Sequence, residues 1–147
     1  MTPFARYAWA TLLLILAAPE PEVRGQQPAC RPADLRSELL LRDMIRYATS
    51  TDPEATAVRD SLHILPVPAT QVALVADQGV CERASAAYQR YYQGIAAGFS
   101  GSVYVVKVGT RYAALDPEYP TSIHDPPPWH VVIMDSDYRP LGSYSGI

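Results

Sequence analysis

Two apolar runs separated by two residues constrain this chain more than any other feature in it. Val103-Tyr-Val-Val-Lys-Val108 leads into Gly109-Thr110, and Arg111-Tyr-Ala-Ala-Leu-Asp116 follows. β-branched and aromatic residues at this density suit a pleated, half-buried surface. A two-residue loop with glycine first suits a type II′ turn, whose twist matches that of the strands it joins. The loop length then sets the register. Tyr104 faces Leu115 and Val106 faces Ala113 on one side. Lys107 faces Tyr112 and Val105 faces Ala114 on the other. The first face is the better core candidate, but both are rather apolar, so a second packed layer or a partner is expected over the other side.

The segment ahead of the hairpin reads as strand then helix. Gln71-Val-Ala-Leu-Val75 is a short apolar run of strand length. Asp77 is placed to cap a helix, because its carboxylate accepts an orphan backbone N–H. Val80, Ala84, Ala87, Tyr88 and Tyr91 recur at offsets of three and four on one face. Gly94 suits the position just past the helix end. Cys81 falls in the first turn.

Further upstream, Pro32 suits the start of a helix, with Asp34 in its first turn. Leu40, Leu41, Met44, Ile45, Tyr47 and Ala48 share one arc, and Arg36, Glu38, Arg42, Asp43 and Arg46 the opposite one. The charged arc reads as a solvated face. Thr49 to Pro53 ends this helix, and Asp52 caps a short second one from Pro53 to about Ser61. His63 then reads as a loop or packing residue, ahead of two prolines at 66 and 68 that exclude helix and central strand alike.

Downstream, residues 116–128 hold five prolines and stay out of the sheet. Trp129-His-Val-Val-Ile-Met134 is a strand, Asp135-Ser136-Asp137 a turn, and Leu141 to Tyr144 the returning strand. The Asp-Ser-Asp triplet lacks the glycine and distal glutamate of a calcium-binding loop, so no metal is assigned to it.

These elements make an α+β domain, with N-terminal helices and a central helix packed on one face of a small antiparallel meander sheet. The order β-α-β-β-β-β resembles the cystatin-like arrangement in topology, although no cystatin inhibitory motif accompanies it.

The first 25 residues read as a signal peptide. Arg6 supplies a positive start, and Tyr7 to Ala18 an apolar run too short to span a bilayer comfortably. Cleavage after Gly25 would leave residues 26–147 as a single secreted domain. Cleavage after Ala18 and an uncleaved membrane anchor are the alternatives. Cys30 lies too far behind the apolar run to be a lipidated cysteine. The chain holds two cysteines, Cys30 and Cys81. In an exported protein an even count favours a disulfide, here closing a loop of about fifty residues and worth roughly 4 kcal/mol in the chain-entropy model. The other reading of Cys81 is a reactive thiol, activated by its place in the first turn of a helix.

A formal charge of −3 with no basic run argues against nucleic acid. No phosphate-binding loop, dinucleotide fingerprint, zinc-protease motif or nucleophile elbow is present, and no cofactor is assigned. The favoured reading is a secreted or periplasmic non-catalytic domain that binds a protein, peptide or cell-wall component. Its binding residues would be Tyr119, His124 and Trp129 on and beside the proline-rich segment. The alternative starts from Cys81 at a helix start and His130 in Trp129-His-Val-Val-Ile-Met134. These patches resemble the papain-like arrangement of secreted cell-wall peptidases of the NlpC/P60 and CHAP families. That resemblance implies thiolate attack by Cys81 with His130 as base, oriented by Asp116 or Tyr144. A disulfide at Cys81 removes the nucleophile, so the state of the sulfur separates the two readings.

Overall fold

The hairpin forms in the register that its loop dictates. In the computed structural model, which describes residues 28–92, 101–118 and 129–146, β2 (Tyr104–Val108) pairs with β3 (Arg111–Leu115) through Tyr104↔Leu115, Val105↔Ala114, Val106↔Ala113 and Lys107↔Tyr112. Gly109 sits at φ 61°, and Thr110 is not among the residues at positive φ, as a type II′ turn requires. β1 (Val72–Leu74), β4 (Trp129–Met134) and β5 (Pro140–Gly146) complete one antiparallel sheet in the order β1-β2-β3-β4-β5. β1 is shorter than expected. Gln71 closes a 3₁₀ turn, Ala69–Gln71, by donating to Pro68 O at 2.9 Å, so pairing begins one residue later.

Three helices complete the α+β domain. α1 (Leu35–Thr49) begins one residue after Asp34, which is therefore the cap and not part of the first turn. The Asp34 carboxylate accepts from Arg36 N and Ser37 N, and Ser37 Oγ accepts from Asp34 N at 2.8 Å. The two residues thus satisfy each other's orphan donors. α2 (Pro53–Ser61) is capped by Asp52, which accepts from Glu54 N at 2.9 Å. α3 (Gln78–Tyr91) is capped by Asp77, which accepts from Val80 N.

The helices cover both faces of the sheet, not one. α1 and α2 bury Leu40, Met44, Tyr47 and Ala55 against Tyr104, Val106, Leu115, Val131 and Ile133. α3 buries Cys81, Ala84, Ala87 and Tyr88 against Val105, Ala114, Val132 and Met134. The reason lies in the strands. Val103 to Val106 and Val131 to Met134 are buried at every successive position. Continuous apolar runs of this kind belong to strands covered on both sides, whereas alternation marks a sheet with a wet face. The buried stripe of α3 is also turned from the expected one. It runs through Cys81, Ala84 and Tyr88 to Tyr92 just past the helix end, leaving Tyr91 40% exposed and Val80 only partly buried. Gly94 lies outside the described residues.

His63 proves to be a helix terminator. It adopts φ 58°, its N–H donates to Asp60 O at 3.3 Å, and Ile64 N donates to Arg59 O at 3.0 Å. This is the paired-bond ending that usually carries glycine in the left-handed position, with a buried Ile64 following it. A left-handed L-residue costs about 1–2 kcal/mol, and glycine gives part of that back as chain entropy. His63→Gly is therefore expected to raise stability by about 0.5–1 kcal/mol, read as a higher urea midpoint. A lower midpoint would assign the imidazole a stabilising role that its exposed position does not reveal.

Candidate functional site

The N-terminal segment reaches α3 by way of β2. Arg31 N donates to Val103 O and Val103 N to Ala29 O, both at 2.9 Å, so residues 29–31 lie alongside the entry to β2. Cys30 N donates to Gln78 Oε1 at 3.1 Å in the first turn of α3. There Cys30 and Cys81 are joined by a disulfide, S–S 2.03 Å and Cα–Cα 5.1 Å, with Cys81 fully buried. A disulfide sulfur carries no thiolate, so in this state Cys81 is not a nucleophile.

His130 belongs to the other end of α3. The Tyr88 hydroxyl donates to His130 O at 2.7 Å, and the Tyr92 ring meets the imidazole at 5.8 Å and 71°. Seven residues of helix separate Cys81 from Tyr88, about 10 Å at 1.5 Å per residue. β4 also lies two strand spacings, again about 10 Å, from the strand that Cys30 accompanies. The structure thus brings Cys81 to Cys30 and His130 to Tyr88 and Tyr92, and does not bring Cys81 and His130 together. Asp116 is buried 3.8 Å from Arg31 Nη2, and Tyr144 lies on the face of the sheet opposite His130. Of the expected binding residues, Tyr119 and His124 lie outside the described residues. Trp129 opens β4, paired with Gly146.

Around the disulfide, residues 28–34 are tied down by charge and aromatic contacts. Arg31 donates from Nε to Ser102 O at 3.2 Å, approaches Glu118 Oε2 at 3.2 Å, and lies 5.7 Å over the Tyr104 ring. The Tyr104 hydroxyl donates to Asp34 Oδ2. That bond holds Asp34 below the usual carboxylate range, while burial and then the bond itself push Tyr104 up to about 12. These contacts wall a cleft of about 360 Å³ lined by Cys30, Arg31, Leu74, Val75, Gln78 and Tyr104.

A larger groove, about 520 Å³, lies between α1, α2 and β5. It is lined by Leu39, Asp43, Tyr47, Val58 and Tyr144 among others. Asp43 is half-buried here and not part of a solvated face. Tyr144 donates to Asp43 Oδ2 at 3.2 Å, and the Tyr47 and Tyr144 rings meet edge to face at 5.3 Å. Burial raises the Asp43 pKa, and the bond from Tyr144 opposes this in part. Burial, with the nearby Asp43 charge, drives the Tyr144 hydroxyl well above the ordinary tyrosine range. A signal for this placement existed in the sequence. Asp43 stands three residues after Leu40 and four before Tyr47, which puts it at the margin of the apolar arc.

The Asp135-Ser136-Asp137 turn is internally satisfied. Asp135 Oδ1 accepts from Asp137 N and Arg139 N, and Arg139 pairs with both carboxylates at 3.3 Å. Among the described residues no group of three or more His, Cys, Asp or Glu side chains is placed to hold a metal ion, and no helix is long and apolar enough to cross a membrane. No protein-family model, curated protein or solved structure matches this chain, so the likeness to the cystatin-like arrangement rests on element order alone.

Proposed function

We propose that this chain is an exported, non-catalytic domain that binds a protein, peptide or cell-wall component outside the cytoplasm. The observation that carries the reading is the Cys30–Cys81 disulfide, which is consistent with an oxidising compartment and occupies the sulfur that hydrolysis would need. The apolar run behind Arg6 supports export. The binding surface is assigned to Tyr119, His124 and Trp129, because aromatic side chains on a proline-stiffened segment lose little entropy on binding.

The test uses insoluble peptidoglycan and casein as probes. The oxidised protein is expected to release no soluble fragments from either. It is expected to co-sediment with the peptidoglycan, and Trp129→Ala to remain in the supernatant with an unchanged circular dichroism spectrum. Hydrolysis that disappears in both Cys81→Ala and His130→Ala would overturn the non-catalytic reading. Equal sedimentation of wild type and Trp129→Ala would move the binding surface elsewhere on the domain.

A further inference from the structure

The two edges of the sheet are finished differently. β1 is three residues long, and its first N–H, that of Val72, turns back to Ala69 O. β5 runs for seven residues, Pro140–Gly146. Natural sheets blunt their edges with charged side chains, prolines, bulges or short strands. Here Pro140 and the register shift at Ile133/Met134 blunt the hairpin end alone, and no residue from Leu141 to Gly146 is charged.

Which backbone groups of β5 face outward follows from the phase of the ladder. In an antiparallel sheet both backbone groups of a residue point to the same neighbouring strand, and successive residues alternate. Val75 N donates to Val105 O at 2.8 Å, so Val105 bonds towards β1 and Val106 towards Ala113 of β3. Carried across the sheet, this turns Ala114 to Val132 and Val131 to Tyr144. The bond from Asp135 N to Arg139 O, at 2.9 Å, has the same phase. Tyr144 therefore bonds inward, while Ser143 and Ser145 hold their N–H and C=O groups outward. Among the described residues no backbone hydrogen bond reaches those outward groups.

We propose that β5 pairs with β5 of a second copy of this chain, antiparallel about a two-fold axis at Tyr144. Ser143 N then donates to Ser145 O of the second copy, and Ser145 N to its Ser143 O, so each outward group meets its complement in its own image. The surroundings of the edge favour a second copy as the occupant. Gly142, Ser143 and Ser145 are small and neutral, so two identical strands approach without like charges meeting. The groove beside Tyr144 and Ser145 sets Arg42 and Arg46 against Asp43 and Glu54. A patch that contacts its own image needs both signs in balance, because a patch of one sign would repel itself. Arg42 is exposed and makes no ion pair among the described residues, which leaves it for the acids of the second copy. On the other face Tyr91 is 40% exposed, with its hydroxyl 3.2 Å from Ser143 Oγ. An exposed tyrosine beside an open edge is a residue type enriched at protein interfaces. The contact uses none of Tyr119, His124 or Trp129, so it goes beyond the binding surface assigned above.

The test follows the oxidised protein by sedimentation velocity across a concentration series, with amide hydrogen exchange measured by NMR at its two ends. Wild type is expected to approach twice its chain mass as concentration rises. The Ser143 and Ser145 amides are expected to exchange about ten-fold or more slowly in the concentrated sample than in the dilute one, while Tyr144 changes little. Ser143→Pro removes an outward donor and spares the bonds to β4, because proline is tolerated where the N–H faces away from the sheet. Ser145→Lys puts a charge on the edge, the usual device against strand pairing. Each is expected to raise the dissociation constant about ten-fold or more. Circular dichroism checks the fold of both. Should Ser143→Pro fail to fold, Ser145→Lys carries the test, since its side chain is exposed. A wild type still monomeric at about 1 mM, a dimer that Ser145→Lys leaves intact, or concentration-dependent protection confined to other elements would each overturn the proposal.

Discussion

Replacing Cys30 and Cys81 together with alanine is expected to lower stability by about 2–5 kcal/mol, as removal of a native disulfide does in small secreted domains generally. The bond closes a loop with a sequence separation of 51, and opening it returns chain entropy to the unfolded state. A second cost is local. Cys81 is fully buried in the α3 layer, so alanine leaves a small void beside Ala84 and Val103. The N-terminal segment keeps its two backbone bonds to Val103 and the contacts of Arg31, which argues for a weakened native fold over a rearranged one. In urea, with a slope of about 2 kcal/mol/M, the midpoint should fall by about 1–2.5 M. Thiol titration of the denatured, unreduced wild type should find no reactive sulfhydryl. Two titratable thiols, or a double variant within about 0.5 kcal/mol of wild type, would remove the disulfide from the account of this fold.

What could be read from the sequence is what short-range chemistry decides. The β2–β3 register follows from two loop residues and the pleat, so it was legible in full. The Asp52 cap and the span of α2 follow from a proline at the first helical position, and Trp129 to Met134 from its unbroken apolar run. The pairing of Cys30 with Cys81 was legible because the chain offers those two cysteines and no others. Layering was legible only in part: the two apolar hairpin faces called for a second layer or a partner, but that α3 supplies it depends on where α3 lies relative to the sheet. Val80 and Tyr91 fit a helical period as well as Cys81 and Tyr92 do, and only packing against Val132 and Met134 selects the second set. Asp43 was placed with its charged neighbours because periodicity ranks a carboxylate by type. The Tyr144 hydroxyl that accompanies it into the groove comes from a strand 101 residues away, beyond the reach of any local rule. His63 was read as a loop or packing residue, and its part in ending α2 was missed for a related reason. Its left-handed backbone lacks the glycine that would announce it, and the buried Ile64 after it carries no local signal of the helix ending.

The double-sided sheet yields the sharpest test of the architecture, at two adjacent residues of β4. Ile133 and Met134 are both fully buried, but they point to opposite faces. Ile133 packs in the layer beneath α1 and α2, against Met44, Val106 and Ala113 among others. Met134 packs in the layer beneath α3, with Ala84, Val105 and Val132. If one face were open to water, truncating the residue on it would change stability by no more than about 0.5 kcal/mol, as exposed substitutions usually do. With both layers in place, Ile133→Ala and Met134→Ala are each expected to cost about 2–5 kcal/mol. The two costs should also be nearly additive in the double variant, because the sheet itself separates the voids and they share no packing partner. Urea denaturation of the two single variants and the double variant measures this. A near-neutral Met134→Ala would detach α3 from the sheet and return the fold to an arrangement with all the helices on one face. A large cost at both positions leaves a second layer over the strands as the explanation, and with it the burial that keeps Cys81 and the Tyr88 to His130 bond away from solvent.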